Sequence, residues 1–337
     1  MIERKRVVYI PYPVRGNKIN DLLTNLVNIL SKRYTVCGEL TNPADIVGML
    51  ETKAVFLNWI EEKLDKKMKF QLLLYRLLGA KIVWVFHNRL PHDMKPDSRA
   101  AENMKWLADR CSIIWILSRH SRRYIPNRER NQRKSVYIPH IMYQSRKGQV
   151  SSDEIRLKYG VSKQDFVFLI FGLIRPYKNI EGGIEAFRKL KLPGAKLIIA
   201  GNPVNSSYAR EIKKLCEGSQ DIILDLQYIS NVLLDGLLGI SDVVVLPYHD
   251  GSSMNSGVMI QAFSNGKPVI SPDICMARDF AGEGFLYVYR KSLEKALQVA
   301  YGKGKELNRE MGLKAQQYME QRHNEETVSR LLYSMLE

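Results

Sequence analysis

Short apolar runs alternate with longer amphipathic stretches along the whole chain. In the first half, runs rich in β-branched and aromatic residues predict strands, and the stretches between them follow a helical period. The predicted strands of this half span residues 7–10, 55–58, 81–87, 113–117 and 136–138. The predicted helices span residues 19–33, 61–78, 98–109 and 120–125. This alternation favours a parallel sheet with right-handed strand–helix–strand crossovers.

The second half of the chain repeats the same alternation. Its predicted strands span residues 166–171, 196–200, 222–226, 243–246, 269–270 and 286–288. A polar segment without period, residues 142–152, separates the halves and is typical of a linker. With 337 residues the chain is long enough for two cores. We predict two α/β domains, residues 1–145 and 146–320, and a C-terminal helical segment at residues 321–337 that crosses back to the first domain.

Composition places the chain among globular proteins outside the membrane interior. Hydrophobic residues make up 45% and charged residues 26% of the chain, which is ordinary for a water-soluble fold. No apolar run approaches the roughly 20 residues that span a bilayer. The N-terminal residues read as a first strand and not as a signal peptide. The four cysteines are far apart and are expected to be reduced thiols in a cytoplasmic protein.

Positive charge is concentrated in the first half. Residues 1–150 hold 28 Lys and Arg against 13 Asp and Glu, whereas the remaining residues hold 23 against 22. The densest basic run is residues 119–134. Such a surface attracts an anionic membrane or a polyanion, and the alternative is a solvated basic face. The predicted helix at 61–78 is basic and apolar too, and we favour a core helix there over a membrane-surface helix.

One loop in the second half is suited to a diphosphate. The segment FGLIRPYKNIEGGIEAF, residues 171–187, runs from a strand through Gly172 into a loop that carries Arg175 and Lys178, and then into a helix. The N-terminus of a helix offers unpaired N–H groups and a positive dipole, and the two cations add formal charge. The alternative is an ordinary strand–loop–helix turn with solvated cations.

A second loop of the same kind follows about seventy residues later. After the apolar strand at 243–246, the segment HDGSSMNSG leads into a helix. Its small polar residues can cap that helix and leave N–H groups for phosphate or sugar hydroxyls. By itself this segment is equally consistent with a capped helix that binds nothing.

Taken together, these pieces resemble a known family. The segments FGLIRPYKN, KLIIAGNP, SDVVVLPY and SGVMIQAFSNGKPVI occur in the order typical of the C-terminal domain of GT-B glycosyltransferases of family 4, the glycosyl transferases group 1. The resemblance covers most of residues 165–275. It implies a GT-B fold, in which two Rossmann-like domains face each other across a cleft, and a hexosyltransferase activity. The first domain would bind the acceptor and the second a nucleotide sugar.

The resemblance also implies the site residues. Arg175 and Lys178 would stabilise the leaving diphosphate, and His87 would act with them in catalysis. The loop after the first predicted strand is argued from its own residues: Gly16 allows close backbone approach and Asn17 could meet an acceptor or the donor phosphate, and a plain strand–helix turn is the alternative. The implied donor-binding residues are Gly172, Asn202, Tyr228, Ile229, Asp250, Ser253, Asn255, Ser256, Gly257, Val258 and Gln261.

The chain departs from the family at two positions. Ser253 and Gln261 stand where the family usually has two glutamates, of which the first contacts the donor sugar and the second the ribose. Gln261 can still hydrogen-bond a ribose hydroxyl, whereas the Ser253 side chain is much shorter. Asp250 is the nearest carboxylate that could substitute. The departure leaves the donor sugar open and weakens the inference that transfer retains the anomeric configuration.

His87 ends the predicted strand at 81–87, and His92 and Asp93 follow closely. Ligands of open α/β sheets gather at the carboxyl ends of strands, where such residues can bind hydroxyls or accept a proton. A structural histidine is the alternative, and a metal site would need a further ligand. The chain has no Asp-x-Asp pair to hold a diphosphate through a cation, so we expect no metal and no cofactor, with Arg175 and Lys178 filling that role.

Two other functions share some of these features. A sugar-nucleotide epimerase of the same layout would need acids and bases around residues 250–261, a segment that is poor in both. A nucleic-acid-binding protein would explain the basic half but would leave the IRPYK and SGVMIQAF segments without a role. We therefore expect a cytoplasmic, retaining glycosyltransferase of surface polysaccharide assembly. It would act on a glycan or lipid-linked glycan and associate peripherally with the inner membrane face.

Overall fold

The computed structural model of the chain describes residues 5–11, 21–42, 45–89, 98–144, 150–249, 251 and 253–337. The chain divides into two compact units. The first comprises Met1–Ile141 and His323–Glu337, and the second comprises Met142–Arg322. Each unit contains one six-stranded parallel sheet, so the α/β class predicted from the alternating pattern is confirmed.

The first unit is built on six strands with helices between them. Its strands are β1 (Arg6–Ile10), β2 (Thr35–Cys37), β3 (Thr52–Asn58), β4 (Lys81–Phe86), β5 (Ile113–Ile116) and β6 (Ser135–Tyr137). Its helices are α1 (Asp21–Ser31), α2 (Ile46–Leu50), α3 (Lys66–Leu77), α4 (Arg99–Arg110), α5 (Arg128–Asn131) and α14 (Glu325–Leu336). The sheet order is β2-β1-β3-β4-β5-β6. Its centre is filled by fully buried aromatic side chains such as Trp84, Trp115 and Phe56, which explains the near-continuous apolar strands.

The second unit repeats this plan. Its strands are β7 (Phe166–Phe171), β8 (Ala195–Ala200), β9 (Ile222–Asp225), β10 (Val243–Val245), β11 (Val269–Pro272) and β12 (Leu286–Tyr289). Its helices are α6 (Ser152–Tyr159), α7 (Ile180–Leu190), α8 (Ser206–Cys216), α9 (Asn231–Ile240), α10 (Gly257–Ser264), α11 (Cys275–Asp279), α12 (Leu293–Gly302) and α13 (Gly304–Arg322). The sheet order is β12-β11-β10-β7-β8-β9.

The C-terminal segment packs on the first unit. The side chain of Lys32, just after α1, pairs with Glu325 at the start of α14, and the Tyr333 hydroxyl donates to the Ile29 carbonyl at 2.6 Å. The His323 ring donates from Nδ1 to the His140 carbonyl at 2.7 Å. These bonds attach residues that are distant in sequence, and they account for the grouping of residues 323–337 with the first sheet.

Several predicted elements differ from the structure. The short strand β2 and helix α2 were not predicted, because three and five residues are too few to show a period. The helix expected at 61–78 begins only at Lys66, since the Asp65 side chain caps it by accepting from the Met68 N–H at 2.7 Å. The helix expected at 120–125 is a 3₁₀ turn, Arg119–Tyr124, capped by Ser118.

The buried face of α3 is narrower than its apolar pattern predicts. Leu72 and Tyr75 are buried against the first unit, as expected for a core helix. By contrast, Phe70, Leu73 and Leu77 are 59%, 42% and 81% exposed. These three side chains therefore lie outside the core face of α3. Among the residues the structure describes, no helix is both long and apolar enough to cross a membrane.

Two glycines hold the ends of β7 and β8 in direct contact. A Cβ atom on Gly201 would lie 1.8 Å from the carbonyl oxygen of Gly172, and Gly201 has a φ of 154°. Only glycine tolerates both the conformation and the distance. The loop after β7 can therefore turn closely over the end of β8.

Replacing Gly201 by alanine is expected to lower the free energy of unfolding by about 3 kcal/mol, because the new methyl group must displace backbone at a strained position. Thermal or urea unfolding measures this change. Gly302→Ala is the matched control, since nothing lies within 4 Å of a Cβ there, and its effect should stay below about 1 kcal/mol. Equal stability of the Gly201→Ala and Gly302→Ala proteins would contradict the described contact.

Candidate functional site

The order of the second sheet defines a ligand crevice. The chain proceeds from β7 outward to β8 and β9, and then returns to β10 on the other side of β7. The helices that follow β7 and β10 consequently leave in opposite directions, which opens a crevice at the carboxyl ends of these two strands. Both sequence motifs, the loop after β7 and the loop after β10, lie at this point.

The loop after β7 is shaped by its own residues. Gly172 has a φ of 97°, and the 3₁₀ turn Pro176–Lys178 follows Arg175. Asn179 then adopts a left-handed conformation and caps α7 by accepting from the Gly182 N–H at 3.3 Å. Its side-chain amide donates to the Pro247 carbonyl at 2.9 Å, which fastens this loop to the end of β10.

Lys178 is buried within the crevice. The side chain is only 5% exposed, and its ammonium lies 5.9 Å from the centre of the Tyr248 ring. A Cβ on Gly172 would lie 3.1 Å from Lys178 Nζ and 3.4 Å from Val258 Cγ2, so the absent side chain of Gly172 leaves room for the ammonium. Burial, and then the positive charge of Arg175, lower the pKa of Lys178 to about 8.

Arg175 adds a second cation whose hydrogen-bonding capacity is not used up. Its Nε is buried and has no hydrogen-bond partner within the described part of the chain. No ion pair there joins either Arg175 or Lys178 to a carboxylate. A buried donor beside a buried ammonium is costly unless an anion occupies the site. The pair is therefore arranged for an anionic ligand with several acceptor oxygens.

The loop after β10 supplies hydroxyls and a helix N-terminus. Ser256 caps α10 by accepting from the Met259 N–H at 3.3 Å, and its hydroxyl lies 3.1 Å from the Tyr248 hydroxyl. Gly257 and Val258 form the first turn of that helix. The Ser253 hydroxyl donates to the Asn255 carbonyl at 2.6 Å, so it serves the loop's own conformation. Gln261 is half-buried one turn further along α10.

The remaining donor-binding candidates lie further along the same sheet edge. Asn202 follows β8 and is exposed, and its carbonyl accepts from the Ile174 N–H at 3.0 Å. Tyr228 and Ile229 follow β9, two strands from β7, or about 10 Å at the usual strand spacing. Tyr228 is 51% exposed. These candidates lie outside the cluster at the ends of β7 and β10. That cluster consists of Gly172, Arg175, Lys178, Ser256 and Val258.

His87 lies in the first unit, directly after β4. Its Nε2 is 3.1 Å from Asn58 Oδ1, which makes Nε2 the protonated nitrogen, and its ring stacks on Trp59 with 4.0 Å between centroids. Burial, and then the charge of His140, lower the pKa of His87 to about 3. The imidazole is therefore neutral at pH 7, suited to hydrogen bonding and a poor acceptor of protons. Its catalytic role stays a prediction.

Some predicted site residues lie outside the described residues. These are Gly16, Asn17, His92, Asp93, Asp250 and Ser252. Among the residues that are described, no group of three or more His, Cys, Asp or Glu side chains could hold a metal ion. The expectation that no metal takes part remains a prediction.

Sequence reasoning missed several residues that shape these sites. Asn179 links the two loops, and Tyr248 bridges Lys178 and Ser256. Asn58 and Trp59 surround His87. An asparagine just before a helical pattern is a recognisable cap, and a polar–aromatic pair at the end of a strand was a signal for the other two. The contacts that these residues make depend on the pairing of segments that are distant in the chain. The sequence alone does not predict that pairing.

Comparison with known proteins agrees with this geometry. The family described as Glycosyl transferases group 1 matches residues 151–321. A GDP-mannose:glycolipid 4-beta-D-mannosyltransferase of Xanthomonas campestris pv. campestris is 26% identical over 230 residues, which are 67% of this chain and 60% of that protein. The match thus spans only about 60% of the length of this curated relative.

Solved structures share the fold over nearly the whole chain. HepE of Anabaena, in complex with UDP-glucose, superposes with a TM-score of 0.77 at 12% identity, covering 98% of this chain and 99% of that one. Sucrose-phosphate synthase of Thermosynechococcus elongatus gives a TM-score of 0.73 at 13% identity and covers 98% of each chain. The fold is that of the GT-B glycosyltransferases, as the sequence resemblance implied.

A role for Lys178 at the diphosphate predicts that the affinity for GDP or UDP falls as the pH rises through about 8, because the side chain then loses the charge that would attract the anion. Below pH 8 the ammonium is present, so affinity is high there. Calorimetric titration between pH 7.5 and 10 measures the effect. In Lys178→Arg the decline should disappear, and in Lys178→Ala affinity should drop about tenfold or more and vary little with pH.

The matched control for this series is Lys213→Ala, which removes an exposed lysine from α8 in the same unit. It should reproduce the unmodified protein at every pH. An unmodified protein whose affinity is constant from pH 7.5 to 10 would contradict the placement of Lys178 at the diphosphate.

Proposed function

The chain belongs to the glycosyl transferases group 1, and from this we propose that it transfers a sugar from a nucleotide-diphosphate sugar to a hydroxyl of a glycan or lipid-linked glycan. The observation that carries the proposal is the pair Arg175 and Lys178 at the crevice between β7 and β10. Breaking the bond between sugar and diphosphate develops negative charge on the leaving oxygen. Oriented cations at that oxygen stabilise the transition state and lower the barrier by a few kcal/mol each.

The described part of the site is rich in hydrogen-bond donors. Lys178 and Arg175 would hold the phosphates, Ser256 and the N–H groups of α10 would receive a phosphate or sugar oxygen, and Gln261 would bind a ribose hydroxyl. No carboxylate occurs among residues 253–261. Attack assisted by the leaving diphosphate needs no protein base, and on this ground we propose retention of the anomeric configuration.

The proposed reaction and the reaction named for the curated relative differ in the stereochemistry of the product. Retention from an α-linked nucleotide sugar gives an α-glycoside, whereas the Xanthomonas protein is named for a β-linked product. The anomeric configuration of the isolated product, read by NMR, decides between the two routes. The glycolipid named as acceptor of that relative also supports a lipid-linked acceptor here. We further propose that this transfer serves the assembly of a surface polysaccharide.

The first unit has a surface suited to an anionic membrane. Phe70, Leu73 and Leu77 form an exposed apolar row along α3, at spacings of three and four residues, and Lys66 and Lys67 are exposed at the start of the same helix. An apolar row flanked by lysines is the pattern of a helix that lies in the membrane surface.

The basic run at 119–134 adjoins the end of that helix. Arg76 on α3 donates to the Arg110 carbonyl at 2.5 Å, and Lys134 donates to the Ala108 and Asp109 carbonyls at 3.0 and 2.9 Å. Both side chains thus meet the last turn of α4, which brings the two basic segments together. Lys134 itself is engaged by these carbonyls. The exposed cations of the run are Arg119, Arg122, Arg123, Arg128, Arg130 and Arg133.

Sugar transfer is tested first by binding and then by turnover. Titration with GDP, UDP and ADP, and with the monophosphate CMP for comparison, should give one preferred nucleoside diphosphate. The corresponding nucleotide sugar should then yield a labelled glycan or glycolipid product. Because the two cations occupy the role of a metal, activity should survive an excess of chelator. Absence of binding to every nucleoside diphosphate would contradict the proposed function, and full reversible loss on chelation would contradict its metal-free form.

Membrane association is tested by co-sedimentation with vesicles. The protein should bind vesicles that contain anionic lipid and should not bind neutral vesicles. High salt should release it, because the Debye screening length shortens to about 3 Å at 1 M. Reversing the charge at Arg122, Arg123, Arg130 and Arg133, or replacing Leu77 by serine, should weaken binding. Leu157→Ser is the control, since Leu157 is an 85% exposed leucine of the second unit. Failure to bind anionic vesicles at low salt would refute this proposal.

A further inference from the structure

Trp59 occupies a backbone conformation that a bulky residue rarely adopts. It directly follows β3 and has a φ of 46°, in the left-handed region. A non-glycine residue held there costs of order 1–3 kcal/mol, and such strain is concentrated at functional sites. A glycine would take this conformation without cost, so the indole is kept at this position against the local preference of the backbone.

The position of Trp59 in the first sheet is that of a ligand crevice. From β1 the chain goes outward to β2, and then crosses to β3 on the other side. The carboxyl ends of β1 and β3 therefore form the point of this sheet at which ligands gather. The Asn58 amide donates to the Ile10 carbonyl at 3.5 Å, which joins the two strand ends beside Trp59.

The indole is fixed from one side. His87 stacks on it at 4.0 Å between centroids and 19° between planes, and Asn58 in turn holds His87 through Nε2. Because His87 is buried and its pKa lies near 3, the stacked imidazole is uncharged at pH 7. Trp59 itself remains 37% exposed. Because one face of the indole stacks on His87, the opposite face is the one left for a ligand.

We propose that the exposed face of Trp59 is a binding platform for a pyranose ring of the acceptor glycan. This inference rests on the proposed transfer function and adds a specific sugar-binding residue in the first unit. Pyranose rings present patches of C–H groups that pack on aromatic faces, while their hydroxyls need polar partners nearby. A ring already fixed by its neighbour loses little conformational freedom when it binds, which favours affinity.

The test uses the indole signal of Trp59. Trp84 and Trp115 are fully buried and Trp106 is half-buried, so a Trp106→Phe protein leaves Trp59 as the one exposed indole among the four tryptophans. Cellobiose and methyl α-D-mannoside serve as probes. Either sugar should shift the Trp59 indole N–H signal in NMR spectra. In Trp59→Gly, sugar binding should weaken about tenfold. In Trp59→Phe it should weaken less.

Three outcomes separate this inference from the proposed function. Binding of GDP or UDP to Trp59→Gly should stay unchanged, and its thermal stability should be equal or higher because the strained φ is relieved. A Trp59 signal that neither sugar moves overturns the platform, as does unaltered sugar binding by Trp59→Gly. A signal moved by the nucleotide and by neither sugar also overturns it. In each case intact nucleotide binding leaves the transfer function standing.

Discussion

The site in the second unit depends on one electrostatic constraint: a lysine ammonium buried beside an arginine. A pKa lowered from 10.5 to about 8 corresponds to about 3 kcal/mol that disfavours the charged form of Lys178 in the folded protein. Because the folded pKa lies below the unfolded one, this cost is present in full below pH 8 and disappears as the pH rises toward 10.5. A diphosphate bound by both cations would offset this cost, and the proposed site gains affinity for the anion in this way.

Several backbone features of the second sheet make room for this buried lysine and hold its loop in place. The ammonium fits because Gly172 has no side chain, and the loop can turn there because Gly201 permits carbonyl contact. Asn179 fixes the loop to the end of β10, and Tyr248 connects it to the cap of α10. The two loops are seventy residues apart in sequence and become neighbours because β7 and β10 pair.

The two units share an architecture and differ in the chemistry at their crevices. The second unit presents cations and helix N–H groups, which suit phosphate. The first unit presents a neutral histidine and an exposed indole, which suit a ring with apolar patches. His140 is likewise held uncharged at pH 7, because burial lowers its pKa to about 4. The densest clusters of cations in the first unit are on α3 and in the run at 119–134.

Apart from β2, the sequence predicted the described strands and the loop after β7, because apolar runs bounded by turn residues and the IRPYKN segment are local signals. It could not predict which side chains of α3 stay exposed, since Leu72 and Leu77 look alike until the sheet beneath them is in place. The engagement of Lys134 with the end of α4 and the left-handed backbone of Trp59 are set by tertiary contacts. No local pattern encodes either one.

The most direct test of the central claim is proton uptake on nucleotide binding at pH 8. Calorimetric titration with GDP or UDP, repeated in buffers of different ionisation enthalpy, counts the protons taken up. With a free pKa near 8, Lys178 is half-protonated, and binding of the anion should complete its protonation with uptake of about half a proton. The Lys178→Arg protein should take up none from this position. Nucleotide binding at pH 8 without proton uptake in the unmodified protein would contradict the account.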